Sequence, residues 1–118
     1  MSTSRDTWAK VKHIVNARDQ GSCVKCQADA TDIHHRTPRG MGGSSDPETN
    51  YGLANLVSLC RSCHDHVHAN PAESYENGFL VRSWDDPRDC PVMLANETIV
   101  IYLAADGNIT KFQQQSLF

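Results

Sequence analysis

The sequence lacks long apolar runs, an apolar N-terminal stretch and an excess of positive charge. No apolar run approaches the roughly 18 residues that a membrane-spanning helix needs. The start of the chain has none of the apolar character of a secretory signal, so we expect a cytoplasmic protein without a membrane partner. The formal net charge is -3. A polyanionic partner would therefore have to bind through a local patch and a bound cation, because no overall positive field attracts it.

Four of the five cysteines stand in CxxC pairs. Cys23 and Cys26 form the first pair, and Cys60 and Cys63 form the second. In a chain without a secretory signal, two such pairs favour metal binding over disulfides and together predict a structural four-cysteine zinc site. The gap between the pairs, residues 27–59, is longer than in short zinc fingers, so the zinc would tie together the ends of a long insert. Cys90 is left over and is expected to be an inert thiol.

The length of 118 residues predicts a single domain over 1–118. The spacing of Trp8, Val11 and Val15 predicts a helix over 5–19. A glycine-rich stretch at 38–52 has no apolar periodicity and is expected to be a loop.

The C-terminal part is rich in β-branched and aromatic residues. These residues predict strands at 75–84 and from 98 to 103, and the second strand leads into a hairpin turn at Asp106-Gly107 or Gly107-Asn108. The sequence therefore divides into a helix (5–19), a zinc-stapled core (23–70) and a strand-rich extension (71–118).

The stretch LCRSCHDHVH at residues 59–68 offers more ligands than one tetrahedral ion can use. If the second CxxC pair leads into a helix, His64 and His68 share one face, roughly a quarter-turn from the cysteines. Successive strand side chains point to opposite faces, so His34 and His35 would serve different purposes. His34, His64 and His68 together predict a second metal site with open positions, which is typical of a catalytic ion. His66 lies off that face and is expected to be solvated.

The ordered pattern from Cys23 to His68 resembles the HNH endonucleases of the ββα-metal class. It reads C-x2-C, then H-H-R-x-P-x-G, then N-L-V-x-L-C-x2-C-H-x3-H. The preceding helix, with Trp8 and a terminal Arg-Asp pair, is similar to small HNH proteins, particularly those of bacteriophages. The resemblance implies an α+β chain with a small ββα-metal (His-Me finger) nuclease fold, a four-cysteine zinc site, an N-terminal helix and a C-terminal β-hairpin extension.

The resemblance also implies roles for individual residues. His35 falls on the general base, and Asn55 falls on the asparagine that steadies the loop and the base. His64 falls on the last histidine of the motif, a catalytic metal ligand, and His68 on a further ligand of colicin-like members. His34 falls on a ligand position that many relatives fill with Asp. This nitrogen-rich set suits Zn, Ni, Co or Mn better than Mg as the one catalytic divalent ion.

The implied activity is metal-dependent hydrolysis of DNA phosphodiester bonds to 5′-phosphate and 3′-hydroxyl ends. Neutral His35 would take a proton from the attacking water. Arg36, Arg39 and Arg61 flank the site and are expected to bind DNA phosphates, the alternative being that they are ordinary solvated arginines. The glycines of the loop would let it pass close to the DNA backbone.

Two alternatives stay open at this point. One is a zinc-stapled DNA-binding or structural module without catalysis, which predicts a damaged histidine set. The other is an accessory protein of phage DNA packaging that is active only with a partner such as a terminase, in the cytoplasm of a bacterial host. In that case the extension from Tyr75 to Phe118 would be the docking surface rather than a cover for the chain's own core.

Overall fold

The computed structural model describes residues 4–38, 47–94 and 99–113. The helices of this part of the chain are α1 (Ser4–Arg18), α2 (Pro47–Tyr51), α3 (Arg61–Ala69) and α4 (Pro71–Asn77). The strands are β1 (Asp32–His35), β2 (Leu56–Leu59), β3 (Val92–Met93), β4 (Ile99–Leu103) and β5 (Ile109–Gln113). None of the described helices is both long enough and apolar enough to cross a membrane. The chain is α+β, as the sequence predicts.

Helix α1 lies within one residue of the predicted N-terminal helix at each end. Val11 and Val15 are buried against Leu56 of β2, which explains their helical spacing. The helix ends where Gln20 and Gly21 take left-handed backbone conformations, with φ of 59° and 70°.

A buried ion pair fixes the end of α1 to the strand β2. Arg18 Nε lies 2.8 Å from Asp19 Oδ1, and both side chains are almost fully buried. The guanidinium of Arg18 also donates to the carbonyl oxygens of Leu53 and Leu56, at 2.8 and 2.5 Å. Asp19 in turn accepts from the backbone N–H of Ser58 at 2.9 Å. Helix α1 is therefore held to the same strand pair that carries the adjacent histidines.

Strands β1 and β2 pair antiparallel, with Asp32 opposite Leu59 and His35 opposite Leu56. Cys60 follows β2 directly and caps α3, because its sulfur accepts from the backbone N–H of Cys63 at 3.3 Å. The chain thus turns from strand to helix at the second CxxC pair. The order β1–β2–α3 is the ββα unit that the sequence predicts.

The predicted loop at 38–52 is partly helical, since α2 occupies Pro47–Tyr51. Residues 39–46, which include Arg39 and the loop glycines, lie outside the described residues.

The predicted strand at 75–84 is wrong, because its first residues belong to helix α4. This helix has Pro71 in its first turn and ends at Gly78, which has a φ of 85°. A side chain at position 78 would not fit, since its Cβ would lie 1.9 Å from the Pro91 carbonyl oxygen. Beyond it, residues 79–81 are buried, but they lie outside the described strands. The proline and glycine signals of a short helix outweigh the aromatic and aliphatic run.

The predicted C-terminal hairpin is present as β4 and β5. Leu103 pairs with Ile109 at its end, and the turn between them contains Gly107 with a φ of 91°. Strand β3 adds a third strand on the other side of β4. Ile101 and Leu103 are buried in one core with Val57 of β2. The extension therefore covers the ββα unit.

Arg36 links the ββα unit to the extension from within the core. Its side chain is fully buried and donates to four carbonyl oxygens, those of Ala54 (2.7 Å), Gly78 (2.8 Å), Pro87 (3.0 Å) and Cys90 (2.5 Å). Burial lowers the pKa of Arg36 to about 10, so the guanidinium keeps its charge at neutral pH. Three of the four acceptors lie C-terminal to the ββα unit, so this charge is stabilised only when the extension is in place.

Candidate functional site

The four CxxC cysteines converge on one point. The sulfur atoms of Cys23, Cys26, Cys60 and Cys63 all lie within 4.8 Å of one another, and Cys26 Sγ is 3.7 Å from Cys60 Sγ. The first pair precedes β1, and the second caps and opens α3. The cluster therefore joins both ends of the segment that carries the histidines.

A backbone donor and burial shift the pKa values of Cys60 and Cys63 in opposite directions. The N–H of Cys63, donating to the Cys60 sulfur, lowers the pKa of Cys60 to about 7. Burial raises the pKa of Cys63 above its ordinary value. The backbone donor thus favours the thiolate form of Cys60, the form that binds a metal. Four sulfurs within 4.8 Å of one another fit zinc.

Three histidines form a second cluster beside the first. Nitrogen atoms of His34, His64 and His68 lie within 4.8 Å of one another. The ring centroids are 5.1 Å apart for His34 and His64, 5.2 Å for His34 and His68, and 5.0 Å for His64 and His68. Strand β1 contributes the first ring, and one face of α3 contributes the other two. The structure thus brings together the three rings that the sequence predicts as ligands.

Protein acceptors fix the proton positions on two of these rings. Nε2 of His34 lies 2.6 Å from the Phe79 carbonyl oxygen, and Nδ1 of His64 lies 2.8 Å from a carboxylate oxygen of Asp32. A carbonyl oxygen and a carboxylate oxygen can accept hydrogen bonds but cannot donate them. These two ring nitrogens therefore carry the protons in the neutral rings. Nδ1 of His34 and Nε2 of His64 are left unprotonated. Burial lowers the pKa of His34 to about 3, which keeps the ring neutral. Neutral imidazoles with supported N–H groups are the form that binds a metal.

Asp32 is a site residue that the sequence interpretation missed. Its carboxylate bonds to His64 and also lies 3.3 Å from the guanidinium of Arg61. The hydrogen bond from His64 is the largest of the effects that lower the pKa of Asp32. Asp32 stands two residues before His34 on β1, so the alternation of a strand places both on one face. The two-residue spacing of Asp32 and His34 could therefore have identified Asp32 from the sequence.

Asp32→Asn is expected to weaken divalent-metal binding at the histidine cluster by roughly 10- to 100-fold, because the amide no longer fixes the His64 tautomer. The fold and the cysteine-bound zinc should survive. Calorimetric titration of Mn²⁺ into zinc-loaded protein measures the change. Asp85→Asn, the same substitution at an exposed carboxylate, is the matched control. Equal affinities in Asp32→Asn and wild type would show that Asp32 does not support His64.

His35 lies on the opposite face of β1 from His34. Its Nε2 lies 3.2 Å from the Asn50 carbonyl oxygen at the end of α2. This acceptor places the proton on Nε2, so Nδ1 is the basic nitrogen of the neutral ring. The indole of Trp8 stacks on the imidazole, with centroids 5.5 Å apart and planes within 11°. His35 is thus held apart from the three-histidine cluster although it is adjacent in sequence.

Asn55 joins the end of β1 to the helix that supports His35. Its side chain is buried, its Oδ1 accepts from the Thr37 N–H at 2.8 Å, and its Nδ2 donates to the Thr49 carbonyl at 2.8 Å. Thr49 precedes Asn50 in α2, so these two bonds fix the position of the carbonyl that holds His35. Asn55 therefore supports the helix whose carbonyl holds His35.

The prediction that Arg36 binds DNA is wrong, because its side chain is fully buried and bonded to protein carbonyls. Arg61 is different: 71% of its side chain is exposed at the start of α3, beside Asp32. Arg39 lies outside the described residues. His66 is exposed and lies 3.1 Å from Glu73, away from the other histidines, as its position on the helix predicts.

A ββα unit with a four-cysteine and a three-histidine cluster defines a metal-binding domain of the ββα class. Residues 19–70 match the family model described as HNH endonuclease, and the match spans every residue of both clusters. Comparisons with curated proteins and with solved structures give no match. Residues 19–70 are therefore similar to the HNH endonuclease domain that the sequence pattern predicts.

Proposed function

We propose that this protein is a metal-dependent endonuclease that hydrolyses phosphodiester bonds of DNA, with His35 as general base. The His34–His64–His68 cluster carries the proposal. Two of its rings have their N–H groups held by protein acceptors, and one nitrogen of each of the three rings lies within 4.8 Å of the others. Three imidazoles would hold one divalent ion and leave positions for water and substrate oxygens. Zinc in the cysteine cluster would be structural.

An all-nitrogen protein ligand set favours particular ions. Imidazole suits Mn, Co, Ni or Zn, whereas Mg prefers oxygen ligands. When bound, such an ion supplies Lewis-acid stabilisation of the charge that develops on the phosphate and on the leaving oxygen. The burial of His34 and its low pKa match this use, since a protonated ring could not be a ligand.

The residues on the other face of β1 would carry out the proton transfer from the attacking water. Nδ1 of His35 takes a proton from a water molecule, whose oxygen bonds to phosphorus while the bond from phosphorus to the 3′ oxygen breaks. The 3′ oxygen gains a proton from solvent, which leaves 3′-hydroxyl and 5′-phosphate ends. Asn55 keeps His35 in place through α2. Arg61, exposed beside the cluster, is the described arginine best placed to bind a flanking phosphate.

Cleavage of supercoiled plasmid by the purified chain tests the proposal. We expect nicked or linear product with Mn²⁺, Co²⁺, Ni²⁺ or Zn²⁺, less with Mg²⁺, and none with EDTA. His64→Ala should abolish cleavage, because it removes one of three ligands. His66→Ala removes the same side chain from the exposed part of the same helix and should leave cleavage intact.

The alternative is a DNA-binding or accessory module that is active only with a partner such as a phage terminase. That alternative predicts no cleavage by the purified chain with any of the ions. Equal damage from His64→Ala and His66→Ala would contradict the assignment of the metal site to the inward face of α3.

A further inference from the structure

The indole of Trp8 forms one wall of the space around His35. The two rings are nearly parallel, and Tyr51 at the end of α2 contacts the same indole at 6.4 Å between centroids, tilted by 56°. Trp8 is carried by α1, which precedes the segment that matches the HNH family model. The contact therefore joins the predicted base to a part of the chain outside that match.

Two of the contacts of His35 restrain its imidazole in different directions. The χ2 torsion of histidine is broad, so a ring keeps one orientation only where its surroundings impose it. The Asn50 carbonyl, 3.2 Å from Nε2, fixes the tautomer and the direction of that nitrogen within the ring plane. By itself, the hydrogen bond at Nε2 permits the plane to tilt about it. The stacked indole blocks that tilt, because the ring would collide with a flat surface.

We propose that Trp8 is a positioning residue for His35, and that its indole holds the imidazole in the plane from which Nδ1 takes a proton from water. This inference rests on the proposed function, because it requires His35 to be the general base. The ion pair of Arg18 and Asp19 fixes α1 on β2, so the indole is carried on a helix with a defined position. Trp8 acts through His35, on which it stacks.

Trp8→Leu keeps apolar bulk but removes the flat face. Misplacement of a reacting group costs up to about 10²-fold in rate, so we expect kcat to fall roughly 10- to 100-fold. KM should change little, since the substitution acts on the base rather than on DNA binding. Trp8→Phe restores a flat face and should recover most of the lost kcat. Plasmid cleavage under multiple-turnover conditions, below the melting temperature of every variant, measures both constants.

A double-mutant cycle separates positioning from a general effect on the fold. In a His35→Ala background, Trp8→Leu should cause no further loss of kcat, because the group that it positions is gone. Val15→Ala is the matched control: it truncates a fully buried residue of the same α1 face without touching the imidazole. It should lower the melting temperature and leave kcat unchanged. Should Trp8→Leu fail to fold, Trp8→Met, which also lacks a flat face, takes its place.

Two results would overturn the inference while leaving the proposed function intact. One is an equal loss of kcat from the Trp8 substitution with and without His35. The other is an equal loss from Val15→Ala. If His35→Ala itself cleaves at the wild-type rate, the assignment of the base fails and the inference falls with it. The single His35→Ala variant therefore distinguishes the two failures.

Discussion

Replacing His35 with alanine is expected to slow DNA cleavage by roughly 10²- to 10⁴-fold, the range that general-base catalysis supplies. Metal affinity at the histidine cluster should stay near the wild-type value. The reason is the alternation of β1: His35 faces Trp8 and the Asn50 carbonyl, whereas His34 faces His64 and His68. Cleavage rates and calorimetric titration of Mn²⁺ into zinc-loaded protein measure the two quantities separately.

His34→Ala is the matched variant, since it removes the same side chain one residue earlier. It should lose metal affinity and cleavage rate together, because it removes a neutral ring with a supported N–H from the cluster. Exogenous imidazole is expected to restore some activity to His35→Ala if the vacated space admits it. Should His35→Ala lose the ion while His34→Ala retains it, the two roles must be exchanged.

Cys60→Ser is expected to lower the melting temperature sharply and to release about one zinc ion per chain. A structural zinc site contributes roughly 10–16 kcal/mol of binding free energy that is coupled to folding, which is as large as the whole stability of a typical domain. Cys60 also accepts the backbone N–H of Cys63 and so caps α3. Losing it should therefore displace the helix that carries His64 and His68.

Cys90→Ser is the control for this experiment. Cys90 is half-buried and lies outside the four-sulfur cluster, and Arg36 bonds to its backbone carbonyl rather than to its thiol. Its substitution should leave zinc content unchanged and stability nearly so. Scanning calorimetry and a chromogenic chelator assay give the two readings. A Cys60→Ser protein that keeps both its melting temperature and its zinc would refute the four-cysteine site.

Local sequence patterns predicted the parts of the site that depend on short-range geometry. The 3.6-residue period of a helix placed His64 and His68 on one face, and the two-residue period of a strand separated His34 from His35. The same rule places Asp32 with His34, so that residue was within reach of the pattern. Helix α1 and the β4–β5 hairpin followed from apolar spacing and turn residues in the same way.

Long-range contacts account for what the sequence did not reveal. Arg36 stands beside His35 in the run HHR, and nothing local indicates that distant carbonyls surround it. The hydrogen-bond acceptors of His34 and His35 are the backbone oxygens of Phe79 and Asn50. Every residue type has such an oxygen, so the sequence does not indicate these contacts. The run at 79–81 reads as a strand and is buried, but it belongs to none of the strands in the described part of the chain, because tertiary packing outweighs its β propensity.

The segment that matches the HNH family model is shorter than the segment that is needed to complete the core around it. The stretch that matches the HNH family ends at residue 70, yet the guanidinium inside it is solvated by oxygens of Gly78, Pro87 and Cys90. A graft of residues 19–70 into another protein would carry over every candidate ligand and leave Arg36 without most of its acceptors, a loss that costs several kcal/mol for a buried charge. Residues 19–70 alone are therefore not sufficient for this fold in another protein. Its smallest transferable unit includes the C-terminal residues that complete the solvation of that one cation.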